Sequence, residues 1–207
     1  MTPTRILIFA KAPQPGVAKT RLIPVLGAEG AAALARRMLA NTLREALAAG
    51  IGPVELCVTP SIDNECWRGI SIPAEVEISD QGNGDLGARM ARTSERALAK
   101  SQRVLLVGTD CVEMHADLLR EAAQALCAHS TAIYGTADGG YALFGLSKFC
   151  PSLFSAIRWS TETVADETVT RIERLGWSLY VGRLLHDVDE AADLVLLPKE
   201  WVHDAAI

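Results

Sequence analysis

Short, uniformly apolar runs alternate along this chain with longer segments whose apolar residues recur at helical spacing, and few folds accommodate that pattern. Arg5 to Ala10 and Arg103 to Val107 are almost wholly apolar, as strands covered on both faces must be. Val54 to Thr59 reads as another strand, with further ones expected at 74–79, 131–134, 141–145 and 177–181. Helices are expected over 28–49, 87–100, 116–128 and 160–175, with shorter ones near 63–68 and 190–196. In the first of these, Leu34, Met38, Leu43 and Leu47 fall near one face and Gly50 supplies a C-terminal stop. The alternation predicts an α/β three-layer sandwich around a mostly parallel, Rossmann-like sheet. With 207 residues and neither repeat nor low-complexity linker, one domain over 1–207 is expected.

Composition narrows the function classes. Apolar residues make up 49% and charged residues 22%, the balance of an ordinary globular protein. Twenty basic against 25 acidic residues give −5, which speaks against a broad basic face for a nucleic-acid polymer. Aromatic residues, at 5%, are too sparse for a single-strand stacking platform. No membrane span is expected, and the run Ile6 to Ala10 is too short for a signal-peptide core. Five cysteines (Cys57, Cys66, Cys111, Cys127, Cys150) without a C-x-x-C pair predict free thiols in a reducing cytoplasm.

In sheets of this kind ligands collect beyond the carboxyl ends of the strands. Four unusual segments fall there. The first, Ala10 to Leu22, holds Pro13, Pro15 and Gly16 and brings Lys11, Lys19 and Arg21 into one loop. Such a loop suits phosphates, which need cations and close backbone approach. A solvated basic loop is the alternative. It is not a P-loop, because Pro13 and Ala18 stand where glycines would be required. The second, Gln81 to Met90, places Gly82, Gly84 and Gly87 in a G-x-G-x-x-G pattern with Asp110 downstream. A dinucleotide-binding oxidoreductase is therefore one reading. Asp85 opposes it, since a carboxylate there would face a pyrophosphate. A loop that closes over a flat ligand, with Gln81 offering a donor and an acceptor to a base edge, is preferred, and a purely structural turn is nearly as good.

The third segment, Val107-Gly-Thr-Asp-Cys111, carries a carboxylate off a hydrophobic strand, a natural ligand for Mg²⁺ on nucleotide phosphates. A helix cap or turn would also explain Asp110. The fourth comprises Thr136 to Tyr141 and His186 to Glu190. Asp138, before paired glycines, either shapes an acceptor pocket or makes a tight turn. Asp187 and Asp189 share one face of an extended segment and either supplies a second metal oxygen, unless Asp189 caps the helix that follows. His186 alone is weak. Ser160 or Thr161 is expected to cap a helix after Trp159, while Trp67, Trp177 and Trp201 are expected to pack.

Lys11-Ala-Pro-x-Pro-Gly16, Lys19-Thr-Arg-Leu22, Gln81 to Met90, Gly108 to Cys111, Asp138-Gly-Gly-Tyr141 and Asp187-Val-Asp189 occur in this order over nearly the whole chain. Together they resemble a bacterial family of glycosyltransferase-A-type proteins, related to nucleotide-diphospho-sugar transferases and distantly to phospholactate and molybdenum-cofactor guanylyltransferases. The resemblance implies that the Lys11 to Arg21 loop, with Ala10, Pro13 and Gly16, holds phosphates. It implies that Gln81, Gly82, Gly84, Asp85 and Arg89 hold base and ribose, and that Asp110 and Asp189, with Asp187 beside them, hold Mg²⁺ or Mn²⁺. Two positions depart from the family pattern: Val112 stands for a proline, and Gly135-Thr136 for Gly-Pro.

The expected activity is metal-dependent transfer from a nucleoside triphosphate or nucleotide sugar to a small-molecule acceptor, with Lys19, Asp110 and Asp138 catalytic. Three cations in the first loop lean slightly to nucleotidyl transfer onto a phosphorylated acceptor with release of pyrophosphate. Glycosyl transfer and a non-catalytic nucleotide-binding module are the alternatives.

Overall fold

The computed structural model describes residues 3–204. Seven strands form one sheet: β1 (Thr4–Lys11), β2 (Val54–Thr59), β3 (Glu77–Asp80), β4 (Arg103–Val107), β5 (Thr131–Gly135), β6 (Tyr141–Leu146) and β7 (Leu179–Val181). Their order is β3-β2-β1-β4-β6-β5-β7. β6 runs antiparallel to both its neighbours, and the other pairings are parallel. The expected mostly parallel α/β sheet is therefore present.

The helices are α1 (Ile23–Ala49), α2 (Leu86–Leu98), α3 (Ala116–Ala125), α4 (Val164–Arg174) and α5 (Lys199–Asp204). Side chains alternate across each strand, so one strand feeds two cores. Ile6, Ile8 and Leu105 point to the face covered by Leu39 and Leu43 of α1 and Leu118 and Leu119 of α3. Leu7, Val104 and Leu106 point to the other face, against Met90 and Ala97 of α2 and Ile172 of α4. That is the three-layer arrangement. Each fully buried Leu or Ile contributes roughly 1.5–3 kcal/mol of hydrophobic stabilisation. A third cluster joins Leu34 and Met38 on α1 to Val112, Val188, Leu197 and Trp201, so the C-terminal segment is packed against the first helix.

Several boundaries differ from the sequence expectations. α1 starts at Ile23 and bends at Gly27, whose φ of 70° no helix interior adopts. β3 begins at Glu77 because Pro73 and Val76 close a turn instead. α4 begins only at Val164, since Ser160 takes a left-handed φ of 63° and breaks the run. The segment 191–196 is a 3-10 helix. All five cysteines are free. No helix among the described residues is long and apolar enough to cross a membrane.

Candidate active site

The carboxyl ends of β1, β2 and β4 open onto one crevice. After β1, the Ala12 N–H donates to Thr59 O at 2.9 Å, so the first loop leaves the sheet still pinned to β2. Gly16, at φ 75°, turns it back. Lys19 then adopts φ 48°, left-handed for a residue with a side chain, and its ammonium is driven inward to 6% exposure. There it donates to Val188 O and Asp189 Oδ1, both at 2.8 Å, and pairs with Asp110. Burial alone would lower the pKa of Lys19, but the charges of Asp110 and Asp189 outweigh it and raise the pKa. The lysine expected to offer itself to phosphate is thus held by the two carboxylates. The positive loop and the acidic pair do converge, in direct contact.

Backbone pairing brings the acids together. The Gly108 N–H donates to Ala142 O at 3.0 Å, and the Val188 N–H to Asp110 O at 2.8 Å. Val188 is buried in the third cluster, so Asp187 and Asp189 turn to its other side, as alternation in an extended segment requires. Asp189 does not cap the helix that follows: Glu190 is the N-cap, in a capping box with Asp193, whose Oδ2 accepts the N–H groups of Asp189 (3.0 Å) and Glu190 (2.7 Å). Asp187 is half-buried, and loss of water pushes its carboxyl up to about 7, reinforced by the charges of Asp110, Asp189 and Asp138 and opposed by Lys19. Asp138 closes the β5–β6 turn: its Oδ1 accepts the Thr136 hydroxyl at 2.5 Å and the Gly140 N–H at 3.0 Å. Among the described residues no three or more His, Cys, Asp or Glu side chains converge to cage a metal. Two carboxylates do converge on a single cation, the Lys19 ammonium. An all-oxygen pair of this sort fits Mg²⁺ or Mn²⁺ bound jointly with substrate phosphates, the usual habit of such ions, and does not fit a protein-only cage.

The second loop is braced from behind. Gln81 is buried, and its amide donates to Ala10 O at 3.1 Å and Cys57 O at 2.8 Å, tying the loop to the tips of β1 and β2. Its Oε1 accepts from Arg89 at 3.4 Å. Gln81 therefore positions the loop, with its amide N–H groups given to backbone carbonyls. Asp85 caps α2 by accepting the Ala88 N–H at 2.8 Å. Arg92, which the sequence reading missed, donates to Gln81 O at 2.6 Å and Asn83 O at 2.8 Å. Its signal was a second arginine three positions after Arg89. Gly87 has no phosphate role in this geometry: a Cβ there would strike Phe154 O and lie 2.8 Å from Trp159 Nε1. The third glycine of the pattern is thus a packing requirement, while Gly82 and Gly84, at φ 74° and 105°, serve the turn.

Two cavities result. One, about 430 Å³, is lined by Lys11, Lys19, Arg21 and Arg89, with Thr59 and Gln81 at its back. The other, about 460 Å³, is lined by Asp138, Asp187 and Glu162, with Tyr141 and Trp159. They share Phe9, Arg21, Leu86, Asp110 and Asp189. Ala10 and Lys11 line the first; Pro13, Gly16, Gly82, Gly84 and Asp85 shape the loops without lining either. Of the departures, Val112 and Thr136 are buried, and Glu113 accepts the His186 N–H at 2.9 Å, which fixes the segment leading to Asp187.

Residues 42–161, including Gln81, Arg89, Asp110 and Asp138, match the family described as "Uncharacterized protein conserved in bacteria (DUF2064)". No curated protein matches the chain in sequence. A solved structure from Desulfovibrio desulfuricans G20, described as a candidate nucleotide-diphospho-sugar transferase, is 32% identical over 97% of this chain and 88% of that one, with a TM-score of 0.88. At 18% identity, Rv0371c of Mycobacterium tuberculosis H37Rv, solved as a complex with manganese, shares the fold over 95% of this chain and 98% of that one (TM-score 0.52). CMP:2-keto-3-deoxy-manno-octonic acid synthetase complexed with CTP shares it at 11% identity over 99% of each chain (TM-score 0.61). With its motifs, sheet order and a relative aligned almost end to end, the chain belongs to this bacterial DUF2064 family and has the nucleotide-diphospho-sugar transferase fold.

Proposed function

We propose that the protein is a single-domain transferase that takes a nucleotide-activated donor in the cationic cavity and passes a group to a small acceptor in the acidic one. The observation that carries this reading is the sorting of charge between two cavities that meet at Asp110 and Asp189. Lys11, Arg21 and Arg89 surround the space for a diphosphate, while Gln81 and Arg92 keep the loop wall in place. Mg²⁺ or Mn²⁺, held by Asp110 and Asp189 with the donor phosphates, would supply charge neutralisation for the leaving group. The likeness to the Desulfovibrio protein and the fold shared with a manganese complex and a CTP complex support both donor and metal.

Glycosyl transfer fits this site better than nucleotidyl transfer. The slight lean toward the latter rested on three cations, and Lys19 is committed to carboxylates. A phosphorylated acceptor would also meet Asp138, Asp187 and Glu162. In glycosyl transfer the acceptor hydroxyl attacks the anomeric carbon, and the carbon–oxygen bond to the diphosphate breaks with its electron pair. The hydroxyl proton passes to a carboxylate of the second cavity, where Asp138 is held in place by its two hydrogen bonds.

Asp110→Asn tests the reading. Donor consumption, followed for a panel of nucleoside triphosphates and nucleotide sugars, is expected to fall about 100-fold or more for the true donor, several kcal/mol of transition-state stabilisation. The extra thermal stabilisation that Mg²⁺ or Mn²⁺ adds to nucleotide binding should vanish with it. Unchanged turnover removes the metal assignment, and a nucleotide that binds but is never consumed favours the non-catalytic alternative.

A further inference from the structure

The second cavity has a composition that restricts what enters it. Asp138, Asp187 and Glu162 join the shared Asp110 and Asp189, and Arg21 is the one cation among its described lining residues. Arg21 itself lies 3.6 Å from Glu190. Lys19 offsets Asp110 and Asp189, on the donor side. The remaining wall is apolar and aromatic, from Leu86, Met90, Tyr141 and Trp159.

This wall is built in by two close backbone approaches. Gly87 lets α2 meet Phe154 and the Trp159 indole, and at Gly139 a Cβ would collide with the backbone of Glu162. Between those contacts the chain takes left-handed backbone at Ala156 (φ 54°) and Ser160 (φ 63°). Trp159, half-buried, and Glu162, exposed, both line the cavity, and the Glu162 backbone is set by its approach to Gly139.

We propose that this cavity selects a non-anionic acceptor: a hydroxyl-bearing molecule with an apolar face, neutral or positively charged, and without phosphate or carboxylate. The inference rests on the transferase reading above for the word acceptor, while the charge preference follows from the cavity alone. An anion entering would lose water and meet the like charges of Asp138 and Glu162, while Arg21, the one lining cation, serves the donor phosphates in the reading above; an ammonium or a neutral hydroxyl would find acceptor oxygens. The flat indole and phenol rings suit an apolar face, and over a cation they add attraction.

Three probes of one shape separate the possibilities: tyrosol (neutral), tyramine (cationic) and 4-hydroxyphenylacetate (anionic). Their binding to the full chain is measured by saturation-transfer NMR, with Mg²⁺ and a saturating nucleoside diphosphate. Tyrosol and tyramine are expected to bind, and the carboxylate about tenfold more weakly or worse, the effect of one like-charge contact at short range. Glu162→Gln should narrow that gap without changing nucleotide affinity. Equal or tighter binding of the carboxylate overturns the proposal, as does failure of both tyrosol and tyramine to bind while the nucleotide does. Nucleotide affinity is read separately: its absence sinks the donor assignment, and a surviving charge preference then leaves the selectivity of the cavity standing.

Discussion

A charged side chain that leaves water must find its counter-charge in the fold, and two sites in this protein show how closely that requirement is met. Lys19 meets Asp189 across 170 positions of sequence, so the lysine was visible as a loop cation but its partner was not. Near the start of β2, Glu55 is 2% exposed and lies between Arg5 and Arg96, with the Ser79 hydroxyl donating to it at 2.5 Å. Burial alone would push its carboxyl up, but hydrogen bonds from Arg96 and Ser79 and the two arginine charges bring it below its ordinary value. A depressed carboxyl stabilises the fold at pH values above its unfolded pKa, and that contribution is lost as pH falls through the folded one. Acid denaturation should therefore steepen below about pH 4.5, and Glu55→Gln should flatten that limb. At neutral pH the same variant leaves Arg5, itself 8% exposed, without its buried partner. A loss of about 3–5 kcal/mol is expected from urea unfolding. A loss under 1 kcal/mol would mean that Glu77, at 2.7 Å, suffices for Arg5.

At the scale of elements, what the sequence made legible was whatever depends on local pattern. β1, β2 and β4 were evident because burial on both faces demands unbroken apolar runs. The antiparallel insertion of β6 between β4 and β5 was not, because nothing local encodes which neighbour a strand joins. The start of helix 160–175 was overdrawn by four residues because a left-handed Ser160 is invisible to periodicity, and Ser160, Thr161 and Glu162 became a wall of the second cavity. The glycine pattern at the start of α2 misled in another way. Gly82 and Gly84 take φ of 74° and 105°, but Gly87 is helical and exists for contact with Phe154 and Trp159. Replacing a helical glycine by alanine ordinarily stabilises by roughly 0.5–1 kcal/mol. At Gly87 the added methyl must displace a carbonyl and an indole, and overpacking of that kind costs typically 1–3 kcal/mol. Gly87→Ala is thus expected to be destabilising, with weaker probe binding in the second cavity and unaltered nucleotide affinity. A stabilised variant would show that the Trp159 loop yields freely, and a selective loss of nucleotide would restore the phosphate role of the glycine.

The molecule as a whole explains how an acidic pair contributed by remote segments keeps its spacing. Asp110 follows β4, whereas Asp187 and Asp189 arrive near the end of the chain and belong to no strand. Val188 fixes them, through the hydrogen bond from its N–H to Asp110 O and through burial beside Leu22, Met38, Leu197 and Trp201. Trp201 closes that cluster at 8% exposure, with the Arg37 guanidinium 4.9 Å from its ring centre. The C-terminal segment therefore clamps the site from outside, a role that its sequence suggested only as packing. Removing the clamp should have two consequences. Trp201→Ala is expected to destabilise the protein by about 3–5 kcal/mol, the cost of a large aromatic truncation. It should also weaken Mn²⁺ binding in the presence of nucleotide several-fold, because Val188 loses the support that sets Asp189 against Asp110. Trp177→Ala is the control: that indole packs on the opposite face of the sheet, near Lys148 at 5.9 Å, and lines neither cavity. It should lower stability while leaving Mn²⁺ affinity unchanged, as read by calorimetric titration well below either melting temperature. Equal losses of affinity in the two variants would trace the effect to general loosening, and the acidic pair would then owe its geometry to the sheet alone.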